Sequence, residues 1–164
     1  MKILTLVRHA KSSWKDTGLR DRDRPLNKRG QRDAPIMGKR LHDHGIRPSL
    51  IVSSPANRAW TTAKIFAKEL SYPLEFLQRD DNLYLASVDR ILDVVVSQDE
   101  GFNSLMIVGH NPGFTDFANF LSPGLTHNLP TAGVVSVSID QDYWNLYEQP
   151  QTELLVHDWP KKTQ

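Results

Sequence analysis

Three short, mostly apolar runs constrain this chain most: Ile3 to Val7, Leu50 to Val52 and Leu105 to Val108. They are too short for helices and read as strands buried on both faces, as in a parallel sheet. Each ends in a polar elbow, Arg8-His9-Ala10, Ser53-Ser54-Pro55 and Gly109-His110-Asn111-Pro112-Gly113. Open α/β sheets bind ligands just past the carboxyl ends of such strands, so the three elbows are where chemistry is expected.

Helical patterns separate the runs. Asn27 reads as the N-cap of a helix to about His44, with Ala34, Met37 and Leu41 on one face and Gly45 as its stop. Pro35 should kink that helix or mark a later true start. Ala59, Ala63, Phe66, Ala67 and Leu70 share a second apolar face, with Arg58 in the first turn. A short strand is expected at Leu74 to Leu77, then a loop through Asp80, Asp81, Asn82 and Tyr84. Ser87 caps a helix with Val88, Ile91, Leu92 and Val95 inward, and Phe114, Phe117, Ala118 and Leu121 mark another. Val135, Val137 and Ile139 then alternate with Ser136 and Ser138, and Tyr143 to Glu148 reads as the hairpin partner, which gives later, partly antiparallel or edge strands.

With 164 residues, a single domain over 1–164 is expected. Lys and Arg total 20 against 19 Asp and Glu, so no global field draws the chain to nucleic acid or a membrane, and any basic site must be local. No Cys is present, which excludes a disulfide framework, a thiolate nucleophile and a zinc ribbon. The N-terminal apolar run stops at Arg8, too short for a signal or a membrane span. A cytoplasmic location is the expectation.

Three strand ends thus present Arg8 with His9, Arg58, and His110. Right-handed crossovers can bring such ends to one sheet edge, where two guanidiniums and two imidazoles would make a pocket for a phosphoryl group. The cations would also lower the His9 pKa and keep its ring neutral, with a lone pair free to attack.

Arg8-His9-Ala10, Ser53-Ser54-Pro55 followed by Arg58-Ala59 and Thr62-Ala63, and Gly109-His110-Asn111-Pro112-Gly113 resemble the histidine phosphatase superfamily, whose founding signature is Arg-His-Gly. Ala10, the stretch Lys11-Ser12-Ser13-Trp14, Arg24-Pro25-Leu26 and Leu83-Tyr84-Leu85-Ala86-Ser87 resemble its SixA-type phosphohistidine phosphatase branch. With the elements above, this gives a three-layer α/β/α sandwich with a mostly parallel central sheet and an antiparallel edge. The resemblance implies His9 as the nucleophile, a phosphohistidine intermediate hydrolysed by water, and Arg8, Arg58 and His110 as ligands of the phosphoryl oxygens. Neither metal nor cofactor is called for, because phosphoryl transfer is mainly positioning and electrostatic stabilisation. Ser13 and the turn Thr131-Ala132-Gly133 are further candidates for phosphate donors, or ordinary loop and turn residues.

Most of the superfamily has a carboxylate that protonates the leaving oxygen. Asn111 follows His110, so one of its usual places is empty; Asp81 lies roughly at the other, although Asp80-Asp81-Asn82 also reads as a plain turn. Without an acid an alkoxide leaves poorly and a phosphorylated imidazole leaves more easily, which favours phosphohistidine on a phosphorylated protein. The short segments after Leu77 and Asn111 leave little room for a lid. Two alternatives stay open: a broad small-molecule phosphomonoesterase or mutase with Asp81 as acid, and a non-catalytic phosphoprotein-binding domain, against which retention of His9 speaks. Arg20, Arg22, Arg24, Trp14 and His127 have no assigned role, although one or two of the arginines are expected to face the site. Oligomeric state is not encoded in any visible pattern.

Overall fold

The computed structural model describes residues 1–163. Six strands form one sheet: β1 (Lys2–Arg8), β2 (Leu50–Ser53), β3 (Gln78–Arg79), β4 (Ser104–Gly109), β5 (Val134–Ile139) and β6 (Thr152–Asp158). Their order is β3-β2-β4-β1-β5-β6, parallel from β3 to β1 and antiparallel through β5 and β6. Four helices cover it, α1 (Lys28–Asp43), α2 (Asn57–Glu69), α3 (Val88–Val96) and α4 (Gly113–Leu121).

Side-chain alternation assigns the layers. Leu4, Leu6, Leu50, Val52, Leu105 and Ile107 pack with residues of α3 and α4, whereas Val7, Ile51, Met106 and Val108 pack with α1 and α2. The sheet is therefore sandwiched between two helix pairs, the three-layer α/β/α arrangement expected. Asn27 and Ser87 cap α1 and α3 through side-chain bonds from Gly30 N and Arg90 N.

Three local expectations need correction. Leu74 to Leu77 is not a strand: Phe76 N and Leu77 N bond back to Pro73 and Leu74 in a 3₁₀ turn at Leu74–Phe76, and only Gln78–Arg79 pairs with β2. The partner of β5 is β6, not Tyr143 to Glu148; Trp144 and Leu146 in that segment plug the core instead, and Trp144 Nε1 donates to Phe102 O at 2.9 Å. Ser136 and Ser138, which alternate with the apolar residues of β5, are buried as well, and Ser136 Oγ meets Thr5 Oγ1 at 2.9 Å. Pro35 does not delay the start of α1, which runs from Lys28 through it; the carbonyl it leaves without an amide donor is that of Gln31, an exposed residue.

Candidate active site

Register brings the elbows together. Arg8 of β1 pairs with Gly109 of β4, and Ser53 of β2 with Val108, so His9, Ser54 and His110 emerge side by side at the carboxyl edge. His9 N donates to Gly109 O at 3.0 Å and Ser54 N to Val108 O at 2.9 Å, which extends the ladder one step past the strands. The His9 and His110 rings lie 5.1 Å apart between centroids and are tilted by 53°. Arg58, second residue of α2, is buried beside them.

Several groups brace this edge from below. Ala10 N donates to Thr62 Oγ1 at 3.0 Å, and Thr62 Oγ1 donates to Arg58 O at 2.7 Å, so one residue a helical turn beyond Arg58 ties α2 to the elbow after β1. Ala132, at φ 59°, sends its N–H to the carbonyls of both Arg8 and His9 at 3.1 Å. Gly30 lets α1 abut the same elbow: a Cβ there would stand 2.2 Å from Lys11 O.

Hydrogen bonding fixes the His9 tautomer. Nδ1 lies 2.7 Å from Ala10 O; a carbonyl only accepts, so Nδ1 carries the proton and a neutral ring leaves its lone pair on Nε2. Burial lowers the His9 pKa to about 4; the bond to Ala10 opposes this, and Arg58, Arg8 and Arg24 add to it. His110 is lowered to about 3, first by burial, then by His9 and Arg58. Both rings are neutral near pH 7. His110 Nε2 sits 2.7 Å from Ser54 Oγ, which also lies 3.3 Å from Ala56 N as acceptor. Its Nδ1 and the Arg8 Nε are buried with no partner among the described residues. Arg8 Nη1 is anchored on Leu129 O at 2.9 Å.

The long loop after β1 supplies residues the sequence reading left as solvated charge. Arg58 Nη1 donates to Asp21 O at 2.7 Å and Nη2 to Asp21 Oδ2 at 2.9 Å. The Tyr84 hydroxyl donates to the same Oδ2 at 2.5 Å, and Arg24 Nη1 reaches Oδ1 at 3.1 Å. Burial opposes ionisation of Asp21, but Tyr84, Arg58 and Arg24 outweigh it and hold the carboxyl below its usual range. The Tyr84 ring stands edge-on to His110 at 5.5 Å. Arg24 is the loop arginine that turns inward: it bonds the Ser12 hydroxyl and Ser13 O, and its guanidinium lies 3.3 Å from the ring centroid of exposed Trp14. The only advance signal for Asp21 was its three-residue spacing from Arg24.

Other candidates lie further out. Asp81 is an exposed carboxylate 3.6 Å from Arg22, whose guanidinium covers the Tyr84 ring. The Ser13 hydroxyl accepts from Lys15 N in its own turn. The Ala132 N–H is already engaged on Arg8 and His9, so it braces their backbone and does not serve as a free phosphate donor. Arg20 pairs with Asp23 at the surface, and His127 lies exposed on the loop after α4. No group of three or more His, Cys, Asp or Glu side chains able to hold a metal ion occurs among the described residues.

Fold and strand-end residues together place the chain among the α/β phosphatases. More narrowly, it belongs to the histidine phosphatase superfamily: residues 4–83 match branch 1 of that superfamily. An uncharacterized chloroplastic protein of Arabidopsis thaliana is 31% identical over 151 residues, covering 86% of this chain and 68% of that one. Among solved structures, SixA of Agrobacterium tumefaciens, a candidate phosphohistidine phosphatase, superposes with a TM-score of 0.83 at 28% identity, over 97% of this chain and 98% of that one. The protein histidine phosphatase SixA complexed with tungstate shares the fold, with a TM-score of 0.79 at 20% identity over 96% and 97% of the two chains.

Proposed function

We propose that the chain, acting as one domain over 1–164, is a phosphohistidine phosphatase that works on protein-borne phosphohistidine through a phospho-His9 intermediate. The observation that carries this reading is the His9 ring itself, held neutral, with Nδ1 donating to Ala10 O and Nε2 left as a nucleophile beside two arginines. Nε2 attacks phosphorus, the bond to the leaving group breaks, and water then hydrolyses phospho-His9 to release phosphate. Arg8 Nε and His110 Nδ1, buried donors without partners among the described residues, and Arg58 hold the equatorial oxygens. For His110 this requires the proton on Nδ1, with Ser54 donating to Nε2.

The choice of phosphohistidine rests on the leaving group. The one carboxylate in contact with Arg58, Asp21, is ionised at neutral pH and has no proton to give an alkoxide. An imidazole carrying a proton on its distal nitrogen needs none. Likeness to the Agrobacterium SixA protein, itself a candidate phosphohistidine phosphatase, points the same way. The stretch between β3 and β4 holds only a 3₁₀ turn and α3, with no inserted cover, so a phosphorylated protein surface has access. In this reading the cationic receptor neutralises the phosphoryl charge without a metal, and nucleic acid and membranes are not partners. No helix among the described residues is long and apolar enough to cross a membrane; a cytoplasmic site of action is part of the proposal.

The test is to mix protein with a ³²P-phosphohistidine carrier protein, quench within milliseconds, and look for acid-labile, base-stable label on His9. Label at that residue, absent in His9→Ala together with turnover, is expected. Full turnover by His9→Ala would refute the reading.

A further inference from the structure

We infer that Asp21 is the specificity-determining residue of this site, a fixed carboxylate that accepts the distal N–H of the substrate's leaving imidazole and so selects phosphoramidates over phosphate esters. The inference rests on the phospho-His9 reading above.

The geometry supporting it lies in the contacts of one side chain. Three donors hold the Asp21 carboxylate, Arg24 Nη1 on Oδ1 and both Arg58 Nη2 and Tyr84 Oη on Oδ2. A carboxylate offers about four acceptor positions, so one remains, and it is on Oδ1. The side chain is 42% exposed, which leaves that position open to solvent or substrate. Arg58 and Tyr84 connect it to both histidines, since Arg58 acts on both rings and Tyr84 stands against His110. The carboxylate is therefore anchored at the rim of the receptor and does not swing free.

A permanent negative charge at that rim has opposite consequences for two leaving groups. An alkoxide or phenoxide develops negative charge as it departs and gains nothing from a neighbouring carboxylate. A phosphohistidine whose distal ring nitrogen is protonated carries an N–H donor and positive charge on the leaving side. As the His9 Nε2–P bond forms, the P–N bond of the substrate breaks and its electron pair returns to the ring. Neutral imidazole then leaves with its distal N–H still bonded to Asp21, so no proton has to be supplied. Asp21 favours the protonated substrate ring and orients it for in-line departure.

The experiment compares Asp21→Asn with the parent protein on two substrates, a phosphohistidine peptide and 4-nitrophenyl phosphate, with kcat/KM measured for each. Charge-assisted hydrogen bonds of this kind correspond to roughly ten- to hundredfold. The phosphohistidine rate should fall by about that much more than the aryl ester rate. Tyr84→Phe, which keeps the carboxylate and the ring, should preserve the parent ratio within about twofold. Equal loss on both substrates by Asp21→Asn would overturn the inference and reduce Asp21 to an orienting strut for Arg58. Acid-labile label on His9 is followed in the same samples: its absence from the parent protein would bring down the phospho-His9 reading, whereas its presence with an unchanged substrate ratio brings down only the role of Asp21.

Discussion

The two ends of β1 bury polar groups in opposite ways. At the amino end, Lys2 is fully buried and its ammonium is saturated, with Glu100 O at 2.5 Å, Phe102 O at 3.0 Å and Asn103 Oδ1 at 2.9 Å, beside the Trp144 ring. At the carboxyl end, His110 Nδ1 and Arg8 Nε are buried with no partner among the described residues. Buried polar atoms are nearly always paired. A saturated cluster is thus a structural clasp, whereas an unsaturated one reserves its donors for something that binds. The surface tells the same story by chemistry: the cleft near the amino end, lined by Leu50, Tyr72, Phe76 and Phe102, is largely apolar and has none of the convergent donors of the carboxyl edge.

The sharpest way to break this comparison is to alter one receptor cation. Arg58→Lys keeps a positive charge but loses the planar fork that meets Asp21 with two nitrogens while acting on both histidines. Turnover should drop by about 10²- to 10³-fold, with the urea midpoint changing far less. A loss below tenfold would show that the carboxyl edge is not the receptor described.

The matching change at the other end is Lys2→Met. It fills similar volume but strips three acceptors of their donor, so stability should fall by about 1–3 kcal/mol while kcat/KM stays within about twofold. Chemical denaturation and steady-state kinetics on the same preparation decide it. Lost activity at unchanged stability would erase the distinction between the two ends.

Much of this division was legible in the sequence, and the reasons for the exceptions are physical. Strand ends and helix faces follow local periodicity, and Arg8, His9, Arg58 and His110 each sit at a strand end or first helical turn, so register alone gathers them. Asp21 did not stand out because it lies in the alternating run Arg20 to Arg24, which has the composition of a solvated loop. What turns it inward is the loop's closure, an isolated bridge from Ser12 to Leu26 and the packing of Arg24 under Trp14, contacts that no local spacing encodes. Thr62 was more accessible, lying four residues after Arg58 on the same helical face. Tyr143 to Glu148 misled for the reverse reason: buried Trp144 and Leu146 alternate as in a strand, yet they face the core from an irregular segment.

Acid separates the two ends again. In the unfolded chain His9 and His110 take protons near pH 6.5, but in the folded protein only near about 4 and about 3. The unfolded state therefore binds more protons below pH 6.5, and the rings cost no stability above it. Stability should decline progressively as the pH falls from about 6.5 to about 3, the His9 share ending near 4. His9→Gln combined with His110→Gln should flatten that decline. NMR should show both rings neutral at pH 5, where an ordinary histidine would be about 97% protonated. A titration of either ring near pH 6.5 would mean that the receptor is wetter and less cationic than its geometry implies.

The smallest expected effect concerns Asp81, and it distinguishes a reacting carboxylate from a bystander. Its side chain is 82% exposed and only 3.6 Å from Arg22, a surface pair that contributes about 0–1 kcal/mol. Its partner Arg22 covers the Tyr84 ring, and it is Tyr84 that stands against His110. A general acid has to reach the leaving atom directly or through one water. Asp81→Asn should therefore change turnover of phosphohistidine, aryl phosphate and alkyl phosphate by no more than about twofold each. A selective collapse on the alkyl ester would show that Asp81 swings in to protonate an alkoxide. The site would then serve small phosphate esters, and the unsaturated end of β1 would be only part of a catalytic apparatus completed from the turn after β3.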